Sequence, residues 1–276
     1  MRILEKINSA KAPSFAFELM GSGSLRDMLE TCETLSPYKP LWYSVTSHCS
    51  DPVLVCNAIE NHFRTPAVGH VLCQGVTCEE TDELAEELHS LGVENLLCLQ
   101  GEPVDVKRRY PYGSTQNTYA SDLVRQMSYS AYNFCLGVAG YPEKHFAAPD
   151  MATDITNLKK KVDAGAHYIT TQMFFDNAAF FGFVERCRAA GIQVPIIPGL
   201  RVLTSPAQVE TVEQRFHVKV PLALREALNH SPEIAGREWA MSQARELFNN
   251  GFPIVHFFVL NDRETVKEVV AGLTTL

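Results

Sequence analysis

The chain has 276 residues, 46% of them hydrophobic and 20% charged, which is the composition of a globular protein able to bury a sizeable core. Its formal net charge is −8, and its basic residues are scattered apart from short runs at 107–109 and 159–161, so we expect no nucleic-acid partner. No stretch reaches the roughly 18 apolar residues of a membrane span and no apolar leader is visible, so we expect a cytoplasmic protein.

Short apolar runs, each followed by a stretch with helical periodicity, recur along the chain. This alternation is typical of a parallel sheet whose strands are joined by helical crossovers. Most repeats measure about thirty residues, the length of one strand, one helix and their loops. The eight predicted strands cover 14–19, 41–46, 67–73, 95–100, 134–139, 168–173, 194–199 and 254–260.

The helices predicted between these strands carry local start and stop signals. Ser24 precedes the first helix, Asp51 begins the second, and Thr77 with Glu80 forms a capping box at the third. Glycines stand where left-handed helix ends are expected, namely Gly92, Gly165, Gly191 and Gly251. The predicted helices cover 24–36, 51–63, 79–91, 120–130, 152–164, 177–190, 206–214, 220–229, 236–250 and 262–274.

Eight such units suit closure into one (β/α)8 barrel, an α/β TIM barrel that takes residues 1–276 as a single domain. A long connection at 200–252 holds extra helices between strands seven and eight, and another runs through 101–118. Loops of this length at the carboxyl face of a barrel often bind ligands. An open, doubly wound sheet is the alternative, although no G-x-G-x-x-G motif follows the first strand.

Polar residues at the carboxyl ends of the strands are the active-site candidates, because inward positions lower in a barrel are filled by packing. Glu18 lies between Phe17 and Leu19, where a carboxylate without a partner is rare. Desolvation there favours the neutral form, so Glu18 is a candidate general acid near neutral pH; the alternative is a structural carboxylate. The other candidates are Thr46, His70, Gln100, Glu102, Tyr141, His145, Gln172 and Asn261.

His70 and the cysteines raise the question of a metal site. A lone histidine in an apolar strand is more often a hydrogen-bonded core residue than a ligand. No compact zinc motif results from combining His70 with its neighbours, which are His48, Cys49, Cys73 and Cys78. We therefore expect no metal, and the irregular spacing of the eight cysteines indicates reduced thiols rather than disulfides.

A polar helix face is predicted after strand five. Its residues recur at helical spacing and suit a phosphate-bearing ligand, although an ordinary solvated surface has the same composition. They are Asp154, Asn157, Lys160 and Lys161.

Short segments, in the same order along nearly the whole chain, resemble the methylenetetrahydrofolate reductase family of flavoenzymes. The most specific is NLKKKVDAGA at 157–166, followed by TQMFFD at 171–176 and IIPG at 196–199. The other matching segments are FAFE at 15–18, SVT at 44–46, His70 with Cys73, LQGE at 99–102, YASDL at 119–123, and YPE at 141–143 with His145.

The resemblance implies a barrel that holds FAD at its carboxyl-terminal mouth, where a nicotinamide nucleotide reduces the flavin and leaves before the folate enters. Flavin hydride then passes to the bridge of 5,10-methylenetetrahydrofolate and gives 5-methyltetrahydrofolate. Glu18 is implied as the acid that protonates the departing nitrogen, with Glu102 as a second catalytic residue. Gln172 is implied to hydrogen-bond the pterin and Phe258 to pack against the substrate.

The same resemblance assigns a set of residues to the flavin site, with the two lysines pairing with the pyrophosphate. They are Thr46, His70, Gln100, Gly101, Glu102, Tyr119, Ala120, Ala139, Tyr141, His145, Asp154, Asn157, Lys160 and Lys161.

Three departures from the family pattern stand near these positions. Residues 19–24 replace an aromatic and proline-containing loop beside Glu18. Gln100-Gly101-Glu102 stands where relatives often have Arg-Gly-Asp, which removes a positive charge beside the flavin and leaves open FAD or FMN. At strand eight Asp262 occupies the position of an arginine that can meet the folate tail, and Arg263 comes one residue later.

Three hypotheses for the chemistry remain at this point. The first is a flavin-dependent methylenetetrahydrofolate reductase. The second is a flavin-free, folate-dependent methyl-transferring barrel, and the third is a non-catalytic subunit of a reductase complex. The sequence leaves open the electron donor (NADH, NADPH, ferredoxin or a partner flavoprotein) and the oligomeric state, a homo-oligomer included.

Overall fold

Eight parallel strands form a closed barrel in the order in which they occur along the chain. The structure is a computed structural model that describes residues 2–19, 24–47, 51–101, 115–260 and 262–275. The strands are β1 Ser14–Leu19, β2 Tyr43–Val45, β3 Ala67–Leu72, β4 Asn95–Leu99, β5 Cys135–Gly140, β6 Tyr168–Met173, β7 Ile196–Leu200 and β8 Ile254–Phe258.

Helices surround this barrel, and the predicted TIM barrel is confirmed as a single domain. The doubly wound alternative is wrong, because β1 pairs with β8 from Ser14 opposite Ile254 to Glu18 opposite Phe258. Within the described ranges the α-helices are α1 Ile3–Ser9, α2 Leu25–Leu35, α3 Pro52–Ala58, α4 Cys78–Ser90, α5 Ala120–Ser128, α6 Met151–Asp163, α7 Asn177–Ala189, α8 Pro206–Phe216, α9 Leu222–His230, α10 Pro232–Asn249 and α11 Arg263–Thr274.

The predicted helix starts are confirmed by their hydrogen bonds. The Ser24 and Thr77 hydroxyls each accept from the backbone N–H three residues on, and the Asp51 carboxylate accepts from Leu54 N at 2.8 Å. The four glycines predicted to end helices all have positive φ, between 80° and 123°.

Some element bounds differ from the sequence prediction. The six-residue strand predicted at 41–46 is only Tyr43–Val45, and the second predicted helix changes at Ile59 from an α-helix to a π-helical turn that ends at Phe63. The helix predicted to begin at 236 begins at Pro232, because proline is well accommodated in a first helical turn.

The sequence prediction also missed α1, which closes the amino-terminal end of the barrel. Its two buried isoleucines, Ile3 and Ile7, pack with the barrel-interior cluster that contains Ala16, Trp42 and Tyr168. The backbone N–H of Ile3 donates to the Asn95 side chain at 2.8 Å, and this asparagine begins β4. The floor of the barrel is therefore filled and hydrogen-bonded, which leaves the carboxyl ends of the strands as the open face.

A second, larger cluster of buried side chains lies between the strands and the helices. Most described cysteines are buried in the protein interior, and all of them are free thiols, namely Cys32, Cys56, Cys73, Cys78, Cys98, Cys135 and Cys187. None of the helices in the described part of the chain has the length and apolar character needed to cross a bilayer.

Candidate active site at the carboxyl face of the barrel

Strand register brings three titratable side chains together inside the barrel. Side chains alternate along a strand, so Glu18 projects to the same side as Ala16, which belongs to the barrel-interior cluster. By the same alternation, the His70 side chain projects to the same side as Val68, and the His256 side chain projects to the same side as Ile254. Because β8 pairs with β1 to close the barrel, His256 lies next to Glu18 although 238 positions separate them in sequence.

These three residues form the Glu18 cluster. The Glu18 Oε2 atom lies 3.5 Å from His256 Nε2 and 3.7 Å from His70 Nε2. Only 12% of the Glu18 side chain is exposed, and the two imidazoles are less exposed still. His256 stacks on Trp42 and meets the edge of Phe258, with ring centroids 6.4 Å and 5.4 Å away. The ring is therefore held in place from both sides.

The charge state of Glu18 differs from the expectation based on burial alone. Burial does raise the pKa of its carboxyl group, as predicted. The hydrogen bond with His256 and the positive charges of His70 and His256 lower this pKa by more, so that it lies below its ordinary value of 4.5. The expected upward shift of the Glu18 pKa is therefore wrong in direction, because two partners from distant strands outweigh burial. A proton in this site therefore belongs to the cluster rather than to an isolated carboxyl group.

His256 is the member of this cluster that sequence reasoning missed. It lies in the run Ile254–Phe258, where every other side chain is apolar. The available signal was the same as for His70, a titratable residue within an apolar strand, but only the closing pair of strands relates it to Glu18.

On the opposite side of the mouth, α6 supports the loop that follows β5. The buried Asp154 carboxylate accepts from the backbone N–H of His145 at 3.0 Å, and the His145 ring meets the edge of Tyr141. Lys161 donates to the Ala139 carbonyl at 2.9 Å. Burial lowers the pKa of Lys161 to about 8, although Asp154 raises it. Asp154 and Lys161 thus hold the wall of the site together.

The remaining two polar residues of α6 are exposed. Lys160 Nζ donates to the Asn157 side-chain oxygen at 3.1 Å, and both side chains face solvent. The predicted polar face is therefore divided into a buried edge that fixes the β5 loop and an exposed edge where Lys160 is hydrogen-bonded to Asn157.

The strand ends from β2 to β4 complete this half of the mouth. Thr46 follows β2 and is buried, whereas Gln100 follows β4 and donates from its amide to Thr118 O at 3.2 Å. Gly101 has a φ of 90°, a left-handed conformation that favours glycine. Tyr119 is 60% exposed at the start of α5, and Ala120 next to it is buried.

Several predicted residues lie outside the described part of the chain. They are Glu102, His48, Cys49, Asn261, the 107–109 basic run and residues 20–23 of the loop beside Glu18. Among the described residues, no group of three histidine, cysteine, aspartate or glutamate side chains is arranged to hold a metal ion.

The β6–β8 half of the mouth contains Gln172, Phe258 and one residue that the sequence analysis missed. Gln172 is half-buried, and its side-chain oxygen accepts from Met173 N at 2.9 Å. The Phe258 ring covers Gly199, where a Cβ atom would lie 2.7 Å from the ring. Arg201 is buried just beyond β7. Arg263, at the start of α11, pairs with Glu30 of α2 at 3.0 Å.

Fold and site together define the class of this protein: a TIM barrel with a buried carboxylate and two histidines at the open end, where such barrels carry their active sites. The sequence comparisons then identify the family. The chain belongs to the methylenetetrahydrofolate reductase family, whose sequence model matches residues 3–274.

Individual relatives are consistent with this membership. Methylenetetrahydrofolate reductase 1 of Schizosaccharomyces pombe is 33% identical over 230 residues, which cover 80% of this chain and 38% of the relative. The 5,10-methylenetetrahydrofolate reductase of Escherichia coli K12 is 30% identical over 244 residues, covering 84% and 80%. The chain spans only about half of the Arabidopsis thaliana relative, methylenetetrahydrofolate reductase (NADH) 1, of which 51% is covered.

The barrel is also found among solved structures. A Clostridium thermocellum protein described as binding two copies of 5-methyl-5,6,7,8-tetrahydrofolic acid aligns with a TM-score of 0.71 at 16% identity, covering 98% of this chain and 97% of that protein. At this identity the similarity shows the fold alone.

Proposed function

We propose that the chain reduces 5,10-methylenetetrahydrofolate to 5-methyltetrahydrofolate with a flavin as hydride carrier. The observation that carries this proposal is the Glu18 cluster, a buried carboxylate with two imidazoles at the mouth of a barrel of this family. Such a cluster can hold a proton in a water-poor site, and opening the folate bridge requires a proton.

A flavin nucleotide would occupy the half of the mouth from β2 to α6. The chemistry of the residues there supports it: a deep end with Thr46 and His70, a left-handed turn at Gly101, and an exposed lysine at the rim. Lys160 would meet the pyrophosphate, whereas Lys161 would support the wall through its bond to Ala139 O. When bound, the flavin would supply the hydride that reduces the folate. FAD is the proposed cofactor, and FMN is the alternative.

The Glu18 cluster would provide the proton for the first part of the reaction. The bond between the bridging carbon and one nitrogen breaks, its electron pair stays on the nitrogen, and that nitrogen takes a proton. Glu18 would pass this proton to the substrate from the cluster, whose two imidazoles lie 3.5 Å and 3.7 Å from its carboxyl oxygen. The resulting iminium carbon is then ready to accept the hydride.

Substrate binding would occupy the half of the mouth from β6 to β8. Gln172 would exchange its hydrogen bond with Met173 N for one to the pterin, and Phe258 would pack against the ring. Glu102 stays a predicted second catalytic residue. The electron donor is left as NADH, NADPH or a protein, since relatives are named for both nucleotides, NADH in Arabidopsis thaliana and, as a probable assignment, NADPH in Caenorhabditis elegans.

An absorbance spectrum of the purified chain tests the cofactor assignment first. We expect a yellow protein, or one that turns yellow with added FAD or FMN, and that is bleached anaerobically by NADH, NADPH or a chemical reductant and recovers its colour with methylenetetrahydrofolate. A colourless protein that binds neither flavin contradicts the proposal. If that colourless protein binds tetrahydrofolate, the methyl-transferring alternative takes its place; if it binds neither, the non-catalytic subunit does.

A further inference from the structure

A buried arginine lies where β7 opens into the mouth, and none of the roles above uses it. Arg201 directly follows β7 and is only 9% exposed. Burial lowers the pKa of its guanidinium group, and within the described residues this group makes neither a hydrogen bond nor an ion pair. A guanidinium group that is largely buried and has no partner among the described residues is available to bind an anionic group of a ligand.

Strand register indicates that Arg201 faces the site. Ile197 belongs to the barrel-interior cluster, so alternation along β7 turns Gly199 and then Arg201 to the same side. Gly199 lies opposite His256 and Leu200 opposite Phe257, and continuing this register sets Arg201 beside Phe258. Phe258 in turn lies opposite Glu18. Arg201 thus stands at the level of Glu18, two strands away, or roughly 10 Å between backbones at the usual strand spacing.

Apolar side chains lie close to Arg201 in the chain. Leu203, two residues further on, is buried in a cluster against which Phe258 packs, and the Phe258 ring covers Gly199. Two other cationic side chains considered for the mouth already have partners, because Arg263 pairs with Glu30 and Lys161 donates to Ala139 O. A low-dielectric setting strengthens the attraction between the guanidinium and an incoming anion.

We propose that Arg201 binds an oxyanion of the ligand that occupies the β6–β8 half of the mouth. A guanidinium presents planar, paired donors that match two oxygens of a carboxylate or phosphate. The inference rests on the proposed function for the identity of these ligands: folate carries carboxylates on its glutamate tail, and a nicotinamide nucleotide carries phosphates. Arg201 is thereby a specificity-determining residue for the acidic part of substrate or donor.

Binding to the intact protein tests this, with calorimetry on the wild type, Arg201→Met and Arg201→Lys. The ligands are 5-methyltetrahydrofolate, the corresponding pteroic acid amide, which carries no carboxylate, and NADH. Arg201→Met should weaken binding of the oxyanion-bearing ligand by about 10- to 100-fold, the usual effect of losing a hydrogen bond to a charged group. The affinity of Arg201→Lys should lie between those of the wild type and Arg201→Met. Arg245→Met, on the outer face of α10, is the matched control and should bind like the wild type.

The pattern of losses identifies the source of the oxyanion. A loss for the folate and not for the pteroic acid amide indicates the tail carboxylates, and a loss for NADH alone indicates the phosphates. Equal affinities in wild type and Arg201→Met overturn the proposal while leaving the reductase function intact. An equal loss for folate and for the pteroic acid amide overturns it as well, because the amide has no oxyanion to lose. If the wild type binds none of these ligands, the proposed function fails, and inorganic pyrophosphate becomes the probe for the oxyanion site. A pyrophosphate-induced rise in melting temperature that is lost in Arg201→Met supports the site. A rise that is the same in both proteins, or absent from both, overturns it.

Thermal unfolding separates this role from a structural one. Removing an uncompensated buried charge should leave the melting temperature of ligand-free Arg201→Met equal to or above that of the wild type. A melting temperature several degrees lower, together with weaker binding of every ligand, would show that Arg201 supports the fold, and the proposal would be wrong.

Discussion

Glu18→Gln is the substitution that examines the proposed proton transfer most sharply. Glutamine keeps the shape of the side chain and removes its negative charge. With 3.5 Å and 3.7 Å to the two imidazoles, the carboxylate attracts each protonated ring by about 4.5 kcal/mol at an effective dielectric constant of 20. Without the carboxylate, the cluster lacks the negative charge that stabilises a bound proton. We therefore expect the loss typical of a removed general acid, about 10²- to 10⁴-fold, equivalent to roughly 3 to 5 kcal/mol of barrier.

Anaerobic stopped-flow absorbance can measure this loss in one half-reaction at a time. Flavin reoxidation by methylenetetrahydrofolate should slow by the stated factor, whereas flavin reduction by the nucleotide needs no acid and should change by less than about threefold. Glu83→Gln, on the exposed face of α4, removes the same charge elsewhere and should leave both rates unchanged. Reoxidation of Glu18→Gln within tenfold of the wild-type rate would refute the assignment of Glu18 to proton transfer.

Three further substitutions test the architecture around the site. His256→Phe keeps the aromatic stack but removes two influences that lower the pKa of Glu18, so the limb of the reoxidation pH profile that reports Glu18 should move to higher pH; an unchanged profile would contradict this. Asp154→Ala leaves the loop after β5 without its anchor and should cost about 1 to 3 kcal/mol in urea unfolding, and a cost below about 0.5 would show that the anchor is dispensable. Gly199→Ala places a Cβ atom 2.3 Å from a backbone oxygen, whereas the Cβ of Gly69→Ala meets movable leucine methyl groups, the nearest at 3.3 Å. The free energy of unfolding should therefore fall clearly more in Gly199→Ala than in Gly69→Ala, and equal losses would contradict this interpretation of the packing.

Most of the fold could be predicted from the sequence because its signals are local. Each strand is a short apolar run, each helix has its own period, and caps such as Thr77 with Glu80 act within one turn. The short helix α1 was missed because its two isoleucines carry little periodicity, and its stability comes from packing against the barrel floor. Barrel closure was inferred from the number of units, whereas the pairing of β1 with β8 is a long-range contact that no local pattern contains.

The site was predictable only residue by residue. Glu18 and His70 were each visible as polar residues in apolar strands, but the distance between them was not, and His256 was overlooked. For this reason the direction of the Glu18 pKa shift was wrong: burial can be read from a run of apolar neighbours, whereas the partners that outweigh it come from other strands. Arg201 gave no signal either, since an arginine after a strand looks the same whether it faces solvent or the barrel.

A single-turnover experiment tests the central claim most directly. Protein whose bound flavin has been reduced anaerobically is mixed with one equivalent of 5,10-methylenetetrahydrofolate, and the flavin spectrum and the folate products are measured together. The proposed function predicts one 5-methyltetrahydrofolate formed for each flavin reoxidised. A protein that binds both flavin and folate, yet leaves the flavin reduced and the folate unchanged, would contradict it.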